Sequence, residues 1–504
     1  MSLKKNILAS YASQIYVTLV GILILPLYLK YMGAEAYGLV GFFTMLQAWF
    51  NLLDMGLTPT VARETARFKG GASDALSYRR LLRALQFIFF AVAVLGGGAM
   101  FVYSGHIANG WLNVQTLPLM QVELALQLMA AGVALRWMSG LYRGCISGSE
   151  RLVWLGGFNA LIATLRFVVV LPVLIWIDHS PAIFFMYQLL VAVIELAGLA
   201  TKAYGLFPAI PPGQLLGWSP TSLFKPIKPV LKFSLTVAFT SSVWVLVTQT
   251  DKLVLSGILP LAEYGYFTLA VLVASGIMII SGPISNAIMP RMTILFAEDK
   301  HEELRRVYRD STQLVSIIAG SAAITLAFCS EQVLYVWTGD LNLAEKSGPI
   351  LRLYSIGNGF LAVSAFPYYL QYSKGLLRYH LIGNAGMVVI LIPGVIFAAT
   401  HFGSIGAGYV WMVMNGLYLC TWVAYVHHKL EPGLHIEWMI NDILKISVPA
   451  MMVASIFVNI GDNHLSRIYS FFLVSILSIL TTITSLMCST SARKILFIKY
   501  SRKL

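Results

Sequence analysis

The chain has 504 residues, of which 58% are hydrophobic and 11% are charged, with a mean hydropathy of +0.76 and a net charge of +13. This composition excludes a soluble globular protein, and the apolar runs of about 20 residues have the length that a helix needs to cross a bilayer. A transmembrane β-barrel would show shorter segments of alternating polarity, so we predict an all-α polytopic membrane protein.

The apolar runs predict about fourteen spans, which we group into two lobes. The N-terminal lobe, residues 1–203, contains spans near 7–29, 37–60, 82–103, 116–138, 152–177 and 181–203. A proline-rich stretch, residues 204–232, is predicted as a cytoplasmic linker. The C-terminal lobe, residues 233–428, contains spans near 233–258, 264–288, 311–331, 350–373, 380–401 and 405–427. Residues 429–504 are predicted to add a helix pair near 443–461 and 467–488 and a basic cytoplasmic tail.

Lysines and arginines are concentrated in alternate predicted loops. The other loops contain only Lys30, Lys346, Arg352 and Arg467. Because basic residues accumulate in the short cytoplasmic loops of membrane proteins, this asymmetry predicts an even number of spans with both termini in the cytoplasm. The positive charge therefore indicates membrane topology, and we expect no nucleic-acid partner.

Two short patterns occur in both predicted lobes. Ala36-Tyr37-Gly38 is matched by Glu263-Tyr264-Gly265, and Arg79-Arg80-Leu81-Leu82-Arg83 is matched by Arg305-Arg306-Val307-Tyr308-Arg309. Both copies begin outside and end inside under the charge rule, so the repeat is predicted to be parallel. Two like-oriented lobes with a cleft between them are typical of an alternating-access transporter.

The residues around these patterns resemble a family of bacterial exporters. Tyr37-Gly38 is followed by Asp54-Met55-Gly56-Leu57, with Arg63 nine residues after Asp54, and Asp251-Lys252-Leu253 is followed by Tyr264-Gly265-Tyr266. Both stretches are similar to the Wzx-type polysaccharide flippases of the multidrug/oligosaccharidyl-lipid/polysaccharide (MOP) superfamily.

The resemblance implies a transporter that flips undecaprenyl-diphosphate-linked oligosaccharide repeat units from the cytoplasmic to the periplasmic leaflet. The product would serve the biosynthesis of O-antigen, capsule or exopolysaccharide. The resemblance also implies a multi-pass protein of the bacterial inner membrane that contacts membrane lipids. Its partners could include the polymerase and chain-length proteins of the same pathway. Related cell-wall precursor flippases carry arginines in the first helix, whereas Gln14 and Thr18 are uncharged, which disfavours a cell-wall precursor as substrate.

Arg166 is the strongest candidate for contact with an anionic diphosphate. It lies 14 residues after Leu152, where a predicted span begins, and hence about 21 Å into the bilayer at a rise of about 1.5 Å per residue. A cation at this depth requires compensation. Arg166 therefore either lines a substrate cavity or pairs with Glu195 on the next predicted helix, and both interpretations stay open.

Other polar residues recur at helical spacing and predict further parts of the substrate path. They are Gln14, Thr18, Gln47, Asn51, Thr248, Asp251 and Lys252. Asp251 and Lys252 could instead make structural contacts only. Asp54 and Arg63 are predicted to have a structural or gating role, with Asp54 capping a helix or pairing with Arg63.

The energy source is predicted to be an ion gradient, since the chain has no Walker motif. Asp251 or Glu195 would then be the carboxylate that loads and releases the ion. We expect no cofactor and no metal site, because the four cysteines and the histidines His427, His428 and His435 lack the spacing of metal ligands.

Two other functions remain as alternatives. A cation-coupled exporter of drugs or metabolites shares the superfamily fold, but its cavity would favour carboxylates over arginines. A membrane polysaccharide polymerase or ligase would need acid and base groups on a periplasmic segment, and the longest predicted outside loop, about 331–349, is short. We therefore predict a transporter and not an enzyme.

Overall fold

The computed structural model describes residues 3–54, 56–210, 226–460 and 466–493. Within these ranges the regular elements are helices, with one isolated β-bridge between Asn113 and Pro260. The all-α prediction is confirmed. The chain divides into two compact units, Met1–Gly265 and Tyr266–Leu504. The predicted linker and basic tail lie partly outside the described residues, and the division into lobes stays a prediction.

The described part of the first unit consists of α-helices and short π-helical segments. The unit begins with α1 (Leu3–Met32), α2 (Ala34–Leu52), α3 (Leu57–Lys69), α4 (Ala75–Val102), α5 (Ser104–His106) and a π-helical turn, Ile107–Trp111. It continues with α6 (Leu119–Gly148), α7 (Leu152–Ala163), a π-helical segment (Thr164–Val169), α8 (Val170–Trp176), α9 (Pro181–Tyr204) and α10 (Lys228–Ile258).

Helix α11 (Leu261–Ala297) begins in the first unit and continues in the second. The second unit then contains α12 (His301–Val315), a π-helical turn (Ser316–Gly320), α13 (Ser321–Phe328), α14 (Ser330–Thr338), α15 (Leu341–Ser364), α16 (Phe366–Ser373) and α17 (Arg378–Leu417). It ends with a π-helical turn (Tyr418–Trp422), α18 (Val423–Leu430), α19 (Leu434–Trp438), a π-helical segment (Met439–Leu444), α20 (Lys445–Ile460) and α21 (Arg467–Cys488).

Ten helices among the described residues are long and apolar enough to cross a membrane, or up to eleven if the bent pair α2–α3 forms one span. One of the ten is the run Arg378–Leu430, in which α17 alone has 40 residues. A continuous helix of that many residues would be about 60 Å long, which is twice the hydrocarbon thickness. Gly403 interrupts α17 with φ 59° and ψ −144°, a region that glycine tolerates. The predicted spans 380–401 and 405–427 lie on its two sides, and the total of fourteen stays a prediction.

The predicted span 37–60 is not one continuous helix. Helix α2 ends at Leu52, and α3 begins at Leu57 with its axis bent by 54°. Gly56 has φ 68°, a left-handed conformation that costs glycine little. Because the helix breaks here, Thr44, Gln47 and Asn51 lie on α2, whereas Asp54 and Thr58 lie beyond its end, so the five polar residues do not share one continuous helical face.

Helix α6 extends ten residues beyond its predicted end near residue 138. The charge pattern assigned Arg136 and Arg143 to a cytoplasmic loop region, but Arg143 lies inside α6, five residues before its last residue, Gly148. The regular backbone of α6 therefore fixes the positions of both Arg136 and Arg143. The apolar run ends before the helix does, since its last two turns pack against protein.

A stripe of glycines lets α3 pack tightly against α6. Gly140, Gly144 and Gly148 are four residues apart and lie on one side of α6. A Cβ atom on Gly144 would lie 2.8 Å from the carbonyl oxygen of Thr58, so there is no room for a larger residue. Small residues at this spacing allow close backbone approach between membrane helices.

A buried carboxylate ties the start of α2 to the loop before α6. Glu35 is 7% exposed and accepts hydrogen bonds from the backbone N–H groups of Gln115, Thr116 and Leu117, at 2.5, 2.9 and 3.1 Å. In the same loop, the backbone carbonyl of Asn113 accepts a hydrogen bond from the backbone N–H of Leu261 at 3.0 Å. One loop therefore connects the ends of three long helices, α2, α6 and α11.

The repeated Tyr-Gly pairs lie next to each other within the first unit. A Cβ atom on Gly265 would lie 2.9 Å from the carbonyl oxygen of Ala34, and one on Gly38 would overlap the carbonyl oxygen of Leu261. The two glycines therefore permit the first turns of α2 and α11 to pack backbone against backbone.

The second unit is held together by a buried polar network as well as by an apolar core. Asp442, which is fully buried, accepts hydrogen bonds from Arg309 Nε and Gln313 Nε2, both at 2.7 Å. Trp438 Nε1 donates to Thr312 at 2.9 Å, and its ring belongs to the main apolar cluster of this unit. The predicted additional helix pair is thus joined to α12 by buried contacts.

Candidate functional site

The first unit contains a cavity of about 550 Å³ between α2, α3, α6 and α10. Volumes of this size are typical of ligand-binding sites. Its lining residues are Asn51, Asp54, Thr58, Arg136, Trp137, Gly140, Arg143, Trp244 and Val245. The cations of this lining come from one helix, α6.

The spacing of residues on α6 places two arginines along one wall of the cavity. Arg136, Gly140 and Arg143 follow each other at intervals of four and three residues, so they lie on the same helical face. Gly140 sits between the two cations, where a Cβ atom would lie 2.7 Å from Thr58 Oγ1. The glycine therefore brings α3 close to the two guanidinium groups.

The described hydrogen bond and ring contact of Arg136 are with neutral side chains, while Glu195 and Arg166 act on it electrostatically at longer range. Its Nη2 donates to Gln188 Oε1 at 2.9 Å, and its guanidinium carbon lies 4.9 Å from the centre of the Phe43 ring. The buried Nε has no hydrogen-bond partner within the described part of the chain. Arg136 is thus a partly buried cation whose Nε has hydrogen-bonding capacity left beside a cavity.

Arg143 and Arg166 share a single carboxylate. Glu195 on α9 accepts from Arg143 Nη2 and from Arg166 Nη2, both at 2.6 Å. The Glu195 side chain is 6% exposed and that of Arg166 is 22% exposed. Arg143 also donates to Asn159 Oδ1 at 2.5 Å. Of the two predicted interpretations of Arg166, the structure shows the ion pair with Glu195.

Arg166 lies within the π-helical segment, whose wider turns leave carbonyl groups without their usual helical partners. Side chains from α1 and α9 supply replacements. Tyr28 donates to the carbonyl of Phe167, Tyr187 to that of Leu165, and Gln188 Nε2 to that of Arg166, each at 2.9 Å. Gln188 therefore connects Arg136 in the cavity wall to the backbone of Arg166.

Asp54 caps the first turn of α3. Its Oδ1 accepts from Thr58 Oγ1 at 2.7 Å and from the Thr58 backbone N–H at 3.2 Å. Arg63 lies 3.3 Å from Glu64 Oε1, and Arg67 approaches the same carboxylate at 3.2 Å. Asp54, the carboxylate in the cavity lining, is thus already hydrogen-bonded to the first turn of α3.

The other predicted path residues do not form one cluster in the contacts described. Asp251 is 3% exposed, and Lys252 Nζ lies 3.4 Å from its Oδ1 while donating to the carbonyl of Thr248 at 2.6 Å. Asn51 lines the cavity. Gln14 is exposed, and Gln47, Thr18 and Thr248 are partly buried. Their roles in a substrate path stay predictions.

The residues that sequence reasoning missed are Arg136, Arg143 and Gln188. The arginines were visible as charges but were assigned to topology. Their separation by seven residues with a glycine between them was the available signal for a shared helical face. Gln188 gave no signal, since a lone amide in an apolar helix has many explanations.

Histidines of the second unit form a pair without a third metal ligand. His427 Nδ1 lies 3.1 Å from His435 Nδ1, and His427 Nε2 bonds to the Tyr308 hydroxyl at 2.6 Å. No group of three or more histidine, cysteine, aspartate or glutamate residues in the described ranges has the arrangement of a metal site.

Comparison with known proteins gives matches over most of the chain. Residues 3–296 match a family described as polysaccharide biosynthesis protein. A protein of Shigella flexneri with the provisional name of O-antigen transporter is 21% identical over 421 residues, which are 82% of this chain and 95% of that protein.

Two solved structures are similar in fold. Lipid II flippase MurJ in an inward closed conformation aligns with a TM-score of 0.72 at 13% identity, over 95% of this chain and 98% of that one. An inward-facing multidrug resistance transporter of the MATE family, in the MOP superfamily, aligns with a TM-score of 0.66 at 15% identity, over 83% and 94% of the two chains. At these identities the likeness concerns the fold alone.

Proposed function

The chain belongs to the polysaccharide biosynthesis protein family, and from that premise we propose that it flips undecaprenyl-diphosphate-linked oligosaccharide from the cytoplasmic to the periplasmic leaflet. It is a multi-pass transporter of the bacterial inner membrane with a MOP-type fold, and not an enzyme. The cargo would serve O-antigen, capsule or exopolysaccharide biosynthesis, with the polymerase and chain-length proteins as downstream partners.

The observation that carries this proposal is the charge of the cavity wall. Arg136 and Arg143 line the cavity. In the described contacts, Arg143 and Arg166 pair with the same carboxylate, that of Glu195. An arginine within a membrane-spanning helix is costly unless its charge is compensated, so the arginines of α6 and Arg166 require negative partners. A diphosphate supplies the missing negative charge, and guanidinium groups bind phosphate oxygens in a bidentate geometry.

The same charge disfavours a cation-coupled exporter of drugs. Positively charged drugs require carboxylates that are free to pair with them. Asp54 is the carboxylate in the cavity lining, and its oxygens accept hydrogen bonds from Thr58. Two arginines in the same lining would repel a cationic cargo.

Transport is proposed to proceed by alternating access. The parallel sequence repeat supports two like-oriented lobes that rock around a central path. Gln14, Thr18, Gln47, Asn51 and Thr248 would line that path.

The proposal is tested by changing the cavity arginine that has neutral partners. The Arg136→Gln variant is expressed in a strain from which the chromosomal gene is deleted. It should give about tenfold less surface polysaccharide than the wild-type protein, or less still, because loss of one charge-assisted hydrogen bond costs roughly 1.5–3 kcal/mol. The lipid-linked repeat unit should accumulate in the membrane, as measured by mass spectrometry of extracted lipids.

The matched control for this experiment is Arg151→Gln. Arg151 is exposed at the start of α7, outside the cavity lining, so its loss should leave polysaccharide output unchanged. Normal output from an Arg136→Gln protein that is present in the membrane at wild-type level would contradict the proposed role of the cavity.

Ion coupling is proposed to use Asp251 rather than Glu195. Protonation of Glu195 would leave the partly buried guanidinium groups of Arg143 and Arg166 without their counter-charge, which is costly. Asp251 has one described cationic partner, Lys252, at 3.4 Å. In proteoliposomes, Asp251→Asn should flip lipid at a rate that no longer responds to an imposed proton gradient. A gradient response equal to that of the wild type would exclude Asp251 as the coupling group.

A further inference from the structure

The cavity has an aromatic and amide side as well as a cationic one. Trp137, Trp244 and Asn51 face the same space as the two arginines. A diphosphate alone requires cations and hydrogen-bond donors, but it does not require a half-exposed indole ring. This second set of groups therefore points to a second chemical feature in the ligand.

Trp137 offers a hydrogen-bond donor that no described residue uses. Its side chain is 5% exposed, and its ring packs against Phe89 with the ring centres 4.3 Å apart. The indole Nε1 is buried and has no acceptor among the residues that the structure describes. Because buried N–H groups are normally paired, this donor is suited to a ligand oxygen.

Trp244 offers an open aromatic surface. It is 51% exposed although it lines the cavity, and it comes from α10, on a different side from the arginines of α6. Asn51, which is also exposed, adds an amide that can both donate and accept. An aromatic face combined with hydrogen-bonding groups at its edge matches a sugar ring, whose C–H face is apolar and whose rim carries hydroxyls.

We propose that Trp244, Trp137 and Asn51 form a saccharide subsite that binds the sugar attached directly to the diphosphate. This inference rests on the proposed function and specifies which part of the cargo the site recognises. Arg136 and Trp137 are consecutive, and Arg136 to Arg143 spans about 10 Å of helix, a length that a diphosphate and one sugar ring can share. The first sugar is therefore the part of the cargo that reaches the tryptophans while its phosphates contact the arginines.

The test compares binding of a bare and a glycosylated lipid to the full-length protein in nanodiscs. The probes are undecaprenyl diphosphate and the same lipid carrying one N-acetylglucosamine, N-acetylgalactosamine, glucose or galactose. For the wild type, at least one glycosylated probe should bind about tenfold more tightly than the bare lipid. Trp244→Leu should remove this difference while leaving the affinity for undecaprenyl diphosphate within about twofold of the wild type. Trp244→Phe should retain most of the difference, because it keeps an aromatic face.

The control is Trp176→Leu, which removes a tryptophan that is 82% exposed at the end of α8 and lies outside the cavity lining. It should bind every probe as the wild type does. The subsite is refuted if no sugar increases affinity, or if Trp244→Leu weakens the bare and glycosylated lipids equally. A failure of the proposed function looks different, since undecaprenyl diphosphate itself would then not bind, or would bind Arg136→Gln as tightly as the wild type.

Discussion

The position of one carboxylate decides how the charges of the first unit are compensated. Glu195 lies between Arg143 and Arg166, with both contacts at 2.6 Å and with little solvent access. A buried ion pair adds little net stability when it is intact, but removing one partner leaves an uncompensated charge. Glu195 is therefore a structural centre for two arginines, of which only Arg143 also lines the cavity.

Glu195→Gln should consequently destabilise the protein by about 3 kcal/mol. Thermal unfolding in detergent measures the change as a lower midpoint temperature. The double variant Glu195→Gln with Arg166→Gln should recover part of the loss, because it removes one of the two stranded cations. Asp178→Asn, at an exposed carboxylate after α8, is the control and should unfold like the wild type. An unchanged midpoint for Glu195→Gln would show that the arginines do not depend on this carboxylate.

The sequence was sufficient to identify Arg166 and Glu195 as possible partners, because two opposite charges at similar depth in apolar helices need each other. It did not reveal that Arg143 shares the same carboxylate. That contact depends on how far α6 extends and on how it packs against α9. Both are tertiary properties that hydropathy does not encode.

At the scale of elements, the approach of α3 to α6 sets the shape of the cavity. Asp54 and Thr58 enter its lining because the glycine stripe of α6 allows α3 to pack without intervening side chains. Hydropathy predicted one span over 37–60, since the apolar run continues through the break. A glycine and a helix cap change the direction of the chain without changing its average hydropathy.

Gly144→Ala should therefore destabilise the protein by about 1–3 kcal/mol, because the added methyl group meets the Thr58 carbonyl at 2.8 Å. The measurement is again the midpoint of thermal unfolding. Gly157→Ala in α7 is the matched control: a Cβ there has no neighbour within 4 Å among the described residues, so the better helix propensity of alanine should raise stability slightly. Equal effects of the two substitutions would show that the α3–α6 contact is not tight in the membrane.

At the scale of the whole molecule, the bilayer makes the sequence informative. A span requires about 20 apolar residues, so the approximate positions of most helices follow from run lengths, whereas the span predicted at 37–60 is interrupted between α2 and α3. The parallel repeat, which was found by pattern matching, stays a prediction. The cavity could not be predicted in this way, because its lining combines residues from four helices that are up to about 200 positions apart in the sequence.

The loop held by Glu35 gives the two ends of the first unit unequal stiffness. At the end predicted to face the periplasm, the Glu35 carboxylate and the Asn113 carbonyl connect the ends of α2, α6 and α11 by hydrogen bonds. At the opposite end, α2 stops at Leu52, and the left-handed residue Gly56 precedes α3, whose axis is bent by 54° from that of α2. A deformation of this unit meets more resistance where hydrogen bonds join the helix ends and less where α2 ends and the chain turns into α3. The first unit therefore joins its helices by more hydrogen bonds at the end that is predicted to be periplasmic than at the end where α2 and α3 are separate helices.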